Sequence, residues 1–253
     1  MRLSTKYSRL LSTAVYRTSI QKFGYNADSD TGDDVWSGSA AYTGFLTAAV
    51  TIEAISSATA DTAAGTGART IRVEGLDANW NFQTADITMA GQSASSATTE
   101  SFIRVFRAFV TSAGTGATNA GTVTIRVSSA GASLAVISIT EPGQTTQAIF
   151  TVPAKHVGVL KDVLLTGSSS QPISFILLAR RGADVTNAPV RTIAVYSGID
   201  DAGQERGFEP GSIVLPEKSD IWVRVLDGAN SALSSAEFDL ELIGYQGCTR
   251  IPD

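Results

Sequence analysis

The chain has 253 residues, 17% of them charged and 43% hydrophobic, with a net charge of −5. Charge is thin against the usual ~25% of globular chains. Gly, Ala, Ser and Thr take its place, which suits closely packed strands and surfaces meant to be covered by neighbours. The single cysteine, Cys248, and single histidine, His156, exclude an internal disulfide framework, a multi-thiolate metal site and nearly every zinc site built on two imidazoles. No apolar run reaches the ~18 residues of a membrane-spanning helix; the strongest, Ile173–Ala179, reads as a buried strand.

Residues 1–24 read as a basic N-terminal arm. Arg2, Lys6, Arg9, Arg17 and Lys22 all precede the first acid, Asp28, so the remainder holds 14 basic and 24 acidic residues. That acidic body lacks the basic stripe of a nucleic-acid-binding face, so no direct nucleic-acid contact is expected. The five basic residues are instead the candidate partner-binding arm, dispensable for folding and ordered by an acidic neighbour. A secretory signal does not fit, because the apolar stretch from Leu10 to Tyr16 is short and Arg17 follows it. On a helix, Leu3, Tyr7, Leu10, Leu11, Ala14 and Val15 share one face beside Arg2, Lys6 and Arg9. An assembly arm, a mitochondrial transit peptide and a floppy terminus all fit that pattern, and Thr and β-branched residues weaken the helix.

Asp28-x-Asp30-x-Gly32-Asp33-Asp34 follows. It places oxygen ligands at alternate positions around a glycine, as at the start of a calcium loop. Calcium needs six to eight oxygens, and the acid that would close a full EF-hand loop is Ser39 here. Asp28, Asp30, Asp33 and Asp34 are therefore candidate calcium ligands, set against a solvated acidic turn whose carboxylates cap backbone amides. Asp200, Asp201 and Glu205 carry a fainter version of the same signal. No other cofactor is implied.

From about residue 45 the pattern has period two. Thr70–Glu74, Thr122–Val127, Ile221–Val225 and Glu237–Leu242 alternate apolar and polar, as strands with one buried face do. In the last run Phe238, Leu240 and Leu242 are expected inward, with Glu237, Asp239 and Glu241 outward. Gly/Ser/Thr clusters separate the runs: Ala64–Gly67, Ser112–Gly116 and Gly167–Ser170. There is an internal echo. Ala64-Gly-Thr-Gly-Ala68 precedes Thr70–Val73, and Ala113-Gly-Thr-Gly-Ala117 precedes Thr124–Val127, at unequal offsets that rule out a strict repeat. Glu141-Pro142-Gly143 marks a boundary, after which seven or eight strands make a jelly-roll complement. The expectation is an all-β protein of jelly-roll or β-sandwich type, with two β-domains in tandem after the arm: 25–142, and a jelly-roll-like 143–253.

The constellations of an enzyme are missing. There is no G-x-S-x-G elbow, Walker A loop or H-E-x-x-H, and the two Gly-Thr-Gly pairs lack the third glycine and helix of a dinucleotide site. A triad could use only His156, placed in a turn after Pro153. Trp36, Trp80 and Trp222 are scattered, so they read as packing or subunit-contact residues rather than a sugar platform.

Several long blocks carry a resemblance. They are Lys22–Trp36 (KFGYNADSDTGDDVW), Asp61–Trp80 (DTAAGTGARTIRVEGLDANW), Phe106–Gly121 (FRAFVTSAGTGATNAG) and Gln147–Ala154 (QAIFTVPA). Leu215–Ile221 (LPEKSDI) and Phe238–Leu242 (FDLEL) extend it. Together they resemble a family of structural proteins of tailed bacteriophages, marine-phage type, across most of residues 22–243; the arm before Lys22 is not part of the match. The resemblance implies a non-enzymatic virion component. Within that class the expectation is a capsid cement or decoration protein on the major-coat lattice at the particle surface, partnered by itself as a homotrimer and by coat subunits. A tail or head–tail connector component is the alternative, and a carbohydrate- or receptor-binding module the alternative from another class. No membrane partner is implied.

Overall fold

In the computed structural model the described residues are 5–169, 171–199 and 203–251, with side chains from Tyr7 onward. They form helix α1 (Thr5–Ser12) and strands β1 (Tyr16–Ser29), β2 (Val50–Ser56), β3 (Ala68–Leu76), β4 (Phe82–Thr88), β5 (Ser101–Phe102), β6 (Arg104–Ala113), β7 (Val123–Val127) and β8 (Ser133–Ile137). Then come β9 (Ile149–Thr151), β10 (His156–Ser168), β11 (Ile173–Arg180), β12 (Val190–Ile199), β13 (Gly203–Gly207), β14 (Val214–Leu215), β15 (Asp220–Asp227) and β16 (Ala232–Gly244). The chain is all-β, as its period-two patterning predicts, and every pairing is antiparallel.

Two compact units result. One holds the residues up to Val35, Ser39–Ala41, and those from Ala148 onward. Its first sheet runs β1-β16-β10-β13, with β14 also on β10, and its second runs β12-β11-β15-β9. Following the chain, β1 lies in the first sheet, β9 in the second, β10 in the first, β11 and β12 in the second, β13 and β14 in the first, β15 in the second and β16 in the first. Strands that cross between a five-stranded and a four-stranded layer in this order make a jelly roll. The alternation along β16 sets the register: Phe238, Leu240 and Leu242 are fully buried on the core side with Leu160, Val163, Phe175 and Val223.

The tandem arrangement and the arm are corrected here. β1 pairs with β16 from Tyr16↔Gly244 to Ser29↔Ala232, so residues 16–24 are an integral strand of the jelly roll. The other unit, Trp36–Gly38 and Tyr42–Gln147, is inserted between the first strand of that fold and its second, β9. The boundaries at residues 24 and 142 are replaced accordingly. The physical reason is that β1 pairs across more than 200 residues of sequence, a partnership no local pattern announces. Its small and polar residues also hide the alternation.

The inserted unit has sheets β5-β2-β7-β8 and β4-β3-β6 around Ile52, Ile71, Val73, Phe102, Ile125, Leu134 and Ile137. Its loops are organised by one buried carboxylate. Asp61 accepts the amides of Ala68 (2.7 Å), Ala120 (2.8 Å) and Gly121 (3.0 Å) and the hydroxyl of Ser56 (2.5 Å). The two Ala-Gly-Thr-Gly-Ala turns meet there, because β3 pairs with β6 at Ala68↔Ala113. The amides of Gly114 and Gly116 donate to Gly67 and Thr66 carbonyls at 2.8 and 2.7 Å. A Cβ on Gly114 would lie 2.3 Å from the Gly65 carbonyl oxygen, so the echo is two loops packed backbone against backbone.

Candidate assembly surface

The outward face of the β1-β16-β10-β13 sheet is divided. One half is covered by α1, an eight-residue helix too short to hold itself together in water. Packing holds it: Tyr7, Val159 and Ile243 form a buried cluster, flanked by Leu10, Leu11, Ala14, Val214 and Tyr245. At the helix edge stands Glu241. Its carboxylate accepts the Tyr7 hydroxyl, Arg17 (Nε at 2.7 Å, and Nη2) and Lys161 (Nζ at 2.9 Å). Lys161 sits where the β10–β16 register slips between Leu160 and Asp162, and such a bulge re-aims a side chain. Burial pushes the Glu241 carboxyl up, but the bonds from Tyr7, Lys161 and Arg17 outweigh it and hold it below the usual carboxylate range.

This geometry corrects the partner-binding arm. Arg17 is committed to Glu241, and Lys22 is buried on the core-facing side of β1 opposite Phe238. Arg9 is exposed in the last turn of α1. Arg2 and the side chain of Lys6 lie outside the described residues. Sequence reading missed this cluster because Tyr7 and Glu241 are 234 positions apart.

Beyond the helix, among the described residues, the same face leaves Phe23, Leu164 and Leu233 exposed. Three cross-strand rows run over it: Gln21, Asp239, Asp162 and Gly207; Phe23, Glu237, Leu164 and Glu205; Tyr25, Ser235, Thr166 and Gly203. Residues directly opposite on neighbouring strands point to the same side. The rows therefore set exposed Phe23 and Leu164 among four carboxylates, with exposed Leu233 nearby. Tyr25, Thr166, Gly167, Gly203, Leu233 and Ser235 line a shallow depression of about 340 Å³. Gln21 donates to Glu237, and the Thr166 and Ser235 hydroxyls are 2.5 Å apart. Burial pushes the Asp162 carboxyl up, and Glu205 and Glu237 add to the rise. Asp239 is raised by burial and then by Asp162 and Glu237, and its Oδ1 has no hydrogen-bond partner among the described residues.

The calcium candidates are not brought together. Asp34 is fully buried and forms a two-pronged pair with Arg224 of β15, at 2.7 and 3.0 Å. Asp33 accepts the Asp30 amide and Asp30 accepts the Ser231 amide, each at 3.0 Å, while Asp28 faces solvent. Among the described residues no group of three or more His, Cys, Asp or Glu stands together to hold a metal. Glu205 lies exposed on β13; Asp200 and Asp201 lie outside the described residues. His156 opens β10 rather than occupying a turn. It is 1% exposed, and its Nδ1 lies 2.8 Å from the carbonyl oxygen of Ala154. Trp36, Trp80 and Trp222 are all buried. Trp36 packs edge-on against Tyr42, and Trp80 lies under the Arg104 guanidinium.

No protein-family profile and no curated protein matches the chain. Among solved structures, the viral particle of infectious bursal disease virus aligns at 10% identity and a TM-score of 0.26, covering 92% of this chain and 70% of the other. Particles derived from infectious bursal virus align at 11% identity and 0.27, covering 93% and 71%. Both scores are below that of a shared fold.

Proposed function

We propose that this chain is a non-enzymatic structural protein of a tailed-bacteriophage particle. It assembles with copies of itself and with coat subunits as a cement or decoration protein at the capsid surface. The observation that carries this reading is the half-bare sheet face, where Phe23, Leu164 and Leu233 stay exposed beside Asp162, Asp239, Glu237 and Glu205. Like charges set opposite one another across strands destabilise an isolated sheet. Exposed apolar side chains among them suit a surface that a neighbour covers. At ordinary strand spacing the bare rows span roughly 20 Å on a side, a few hundred Å². That is less than the ~800 Å² per partner of a typical stable interface, and it suits a contact repeated many times across a lattice. The phage-protein resemblance of residues 22–243 supports the same reading.

The test compares the wild type with a Phe23→Glu, Leu164→Glu double variant. Light scattering of the isolated protein should give an oligomer, a trimer before a dimer, and cosedimentation should place the wild type on coat particles. The variant should lose particle attachment while keeping its β-sheet circular dichroism. Equal occupancy for the two proteins would reject this face as the contact. A tail or connector position is the alternative within the same class. A glycan-binding reading has one observation in its favour: Tyr25 lines the depression with Leu233, and Phe23 lies two positions away on the same strand face. Stacking of a sugar there would show as glycan binding by the isolated protein that Tyr25→Ala abolishes.

A further inference from the structure

Residues 245–251 cover one end of the β1-β16-β10 part of the jelly roll. Tyr16, Gly244 and His156 form one cross-strand row on β1, β16 and β10. Gly244 has no side chain, and Cys248 takes that space: a Cβ on Gly244 would lie 2.6 Å from its Sγ, 3.1 Å from Tyr16 Cδ1 and 3.2 Å from His156 Cδ2. Residues 245–251 are strapped over the row. The Tyr245 amide donates to the Lys155 carbonyl at 3.0 Å, Lys155 Nζ donates to the Gly247 carbonyl at 2.9 Å, and the Tyr16 hydroxyl donates to the Ile251 carbonyl at 2.6 Å. Ile251 is buried, and the Arg250 guanidinium lies 5.5 Å from the Tyr16 ring centroid.

His156 sits beneath this strap, its ring edge-on to Tyr16 at 6.3 Å. Because Nδ1 faces the Ala154 carbonyl oxygen at 2.8 Å, Nδ1 carries the proton and Nε2 is the bare nitrogen. Nε2 is buried with no hydrogen-bond partner among the described residues. A proton there would create a cation and a donor with no acceptor, which a closed interior does not tolerate. The surrounding groups do little to offset it. Tyr16 faces the ring from β1, and Tyr245, Cys248 and Arg250 lie on the strap, Arg250 being a second cation at the Tyr16 ring. Lys155 precedes the histidine. Among the described residues Glu217, from the turn before β15, is the carboxylate that acts on the ring, and it accepts the Lys155 amide at 2.5 Å.

We propose that His156 is an acid trigger for the C-terminal strap: acidification protonates Nε2, and the strap lifts so that water can solvate the imidazolium. Burial depresses the His156 pKa, only partly opposed by the Ala154 carbonyl and Glu217. The proton therefore binds the strap-open state more tightly than the closed one.

Hydrogen exchange of the strap, measured on the full chain by mass spectrometry at pH 7.5 and 5.0 and corrected for intrinsic rates, tests this. An exposed imidazole of pKa about 6.5 favours the open state about 30-fold at pH 5.0, so wild-type protection should fall by up to that factor. In His156→Gln it should hardly change. Unchanged protection in the wild type would overturn the proposal. So would an equal fall in His156→Gln, which would assign the effect to Glu217 or other carboxylates. The chain has one histidine, so its ring gives one NMR titration. That midpoint should lie below the ordinary imidazole value and coincide with the strap amide shifts. Tyr16→Phe, which removes the hydroxyl bond to Ile251, should raise the midpoint; an unchanged midpoint would contradict the trigger even if His156→Gln failed to fold.

Discussion

Asp162 stands directly across the β10–β16 pairing from Asp239, two carboxylates on one sheet face with no basic residue between them. Burial, Glu205 and Glu237 raise Asp162, and burial, Asp162 and Glu237 raise Asp239. An Asp whose folded pKa is raised costs stability above that pKa and nothing below its unfolded value of about 3.9. Asp162→Asn should therefore stabilise the isolated protein at pH 7 by about 0.2–1 kcal/mol. Thermal melts at a series of pH values should show that gain shrinking as pH falls through the raised range towards 3.9. A constant gain would mean that repulsion is not its source.

The N-terminal residues divide at residue 15. Deleting residues 2–15 removes α1 and uncovers Val159 and Ile243; it should lower stability by about 2–4 kcal/mol yet leave the sheets intact. Deleting residues 2–22 also removes the β1 residues that face Gly244 to Phe238, and should abolish the jelly roll. Far-UV circular dichroism of the two truncations separates them. A folded 2–22 deletion would restore the free-arm expectation.

Phe238 lies fully buried while Asp239 is on the solvent side. Phe238→Ala should cost about 3–5 kcal/mol, whereas Asp239→Asn should be neutral or stabilising. Urea unfolding checks the pair, and equal losses would reverse the register of β16.

Asp61 in the inserted unit is fully buried and holds three backbone amides. Asp61→Ala would strand those donors, at a cost of at least about 3 kcal/mol. Trp36 and Trp80 belong to that unit and Trp222 to the jelly roll, so fluorescence in a Trp222→Phe background should report the loss. An unshifted transition would show that the loops hold without the carboxylate.

What could be read in the sequence was local. The alternation of Glu237–Leu242 and Ile221–Val225 gave strands and their buried faces, and the Gly-rich clusters gave turns. What could not be read was non-local. β1 carries Arg17, Ser19, Gln21 and Phe23 on one face and Thr18, Ile20, Lys22 and Gly24 on the other, with neither face uniformly apolar. Its place beside β16 depends on a partner more than 200 positions away. The same distance hid the Tyr7–Arg17–Lys161–Glu241 cluster and split Asp34 from its neighbouring aspartates through Arg224. The Asp28–Asp34 spacing matched a calcium loop because acidic turns and calcium loops share the same Asp/Gly chemistry.

On the proposed function, the β1-β16-β10-β13 face is covered by a neighbouring subunit in a virus particle. The most direct test is quantitative mass spectrometry of purified virus particles from a source that encodes the chain, joined to electron cryo-microscopy of the same sample. The account predicts the chain at a fixed ratio to the coat protein, with Phe23, Leu164 and Asp162 against a neighbouring subunit. Particles that lack the chain, or that carry it with this face open to solvent at every position, would contradict it.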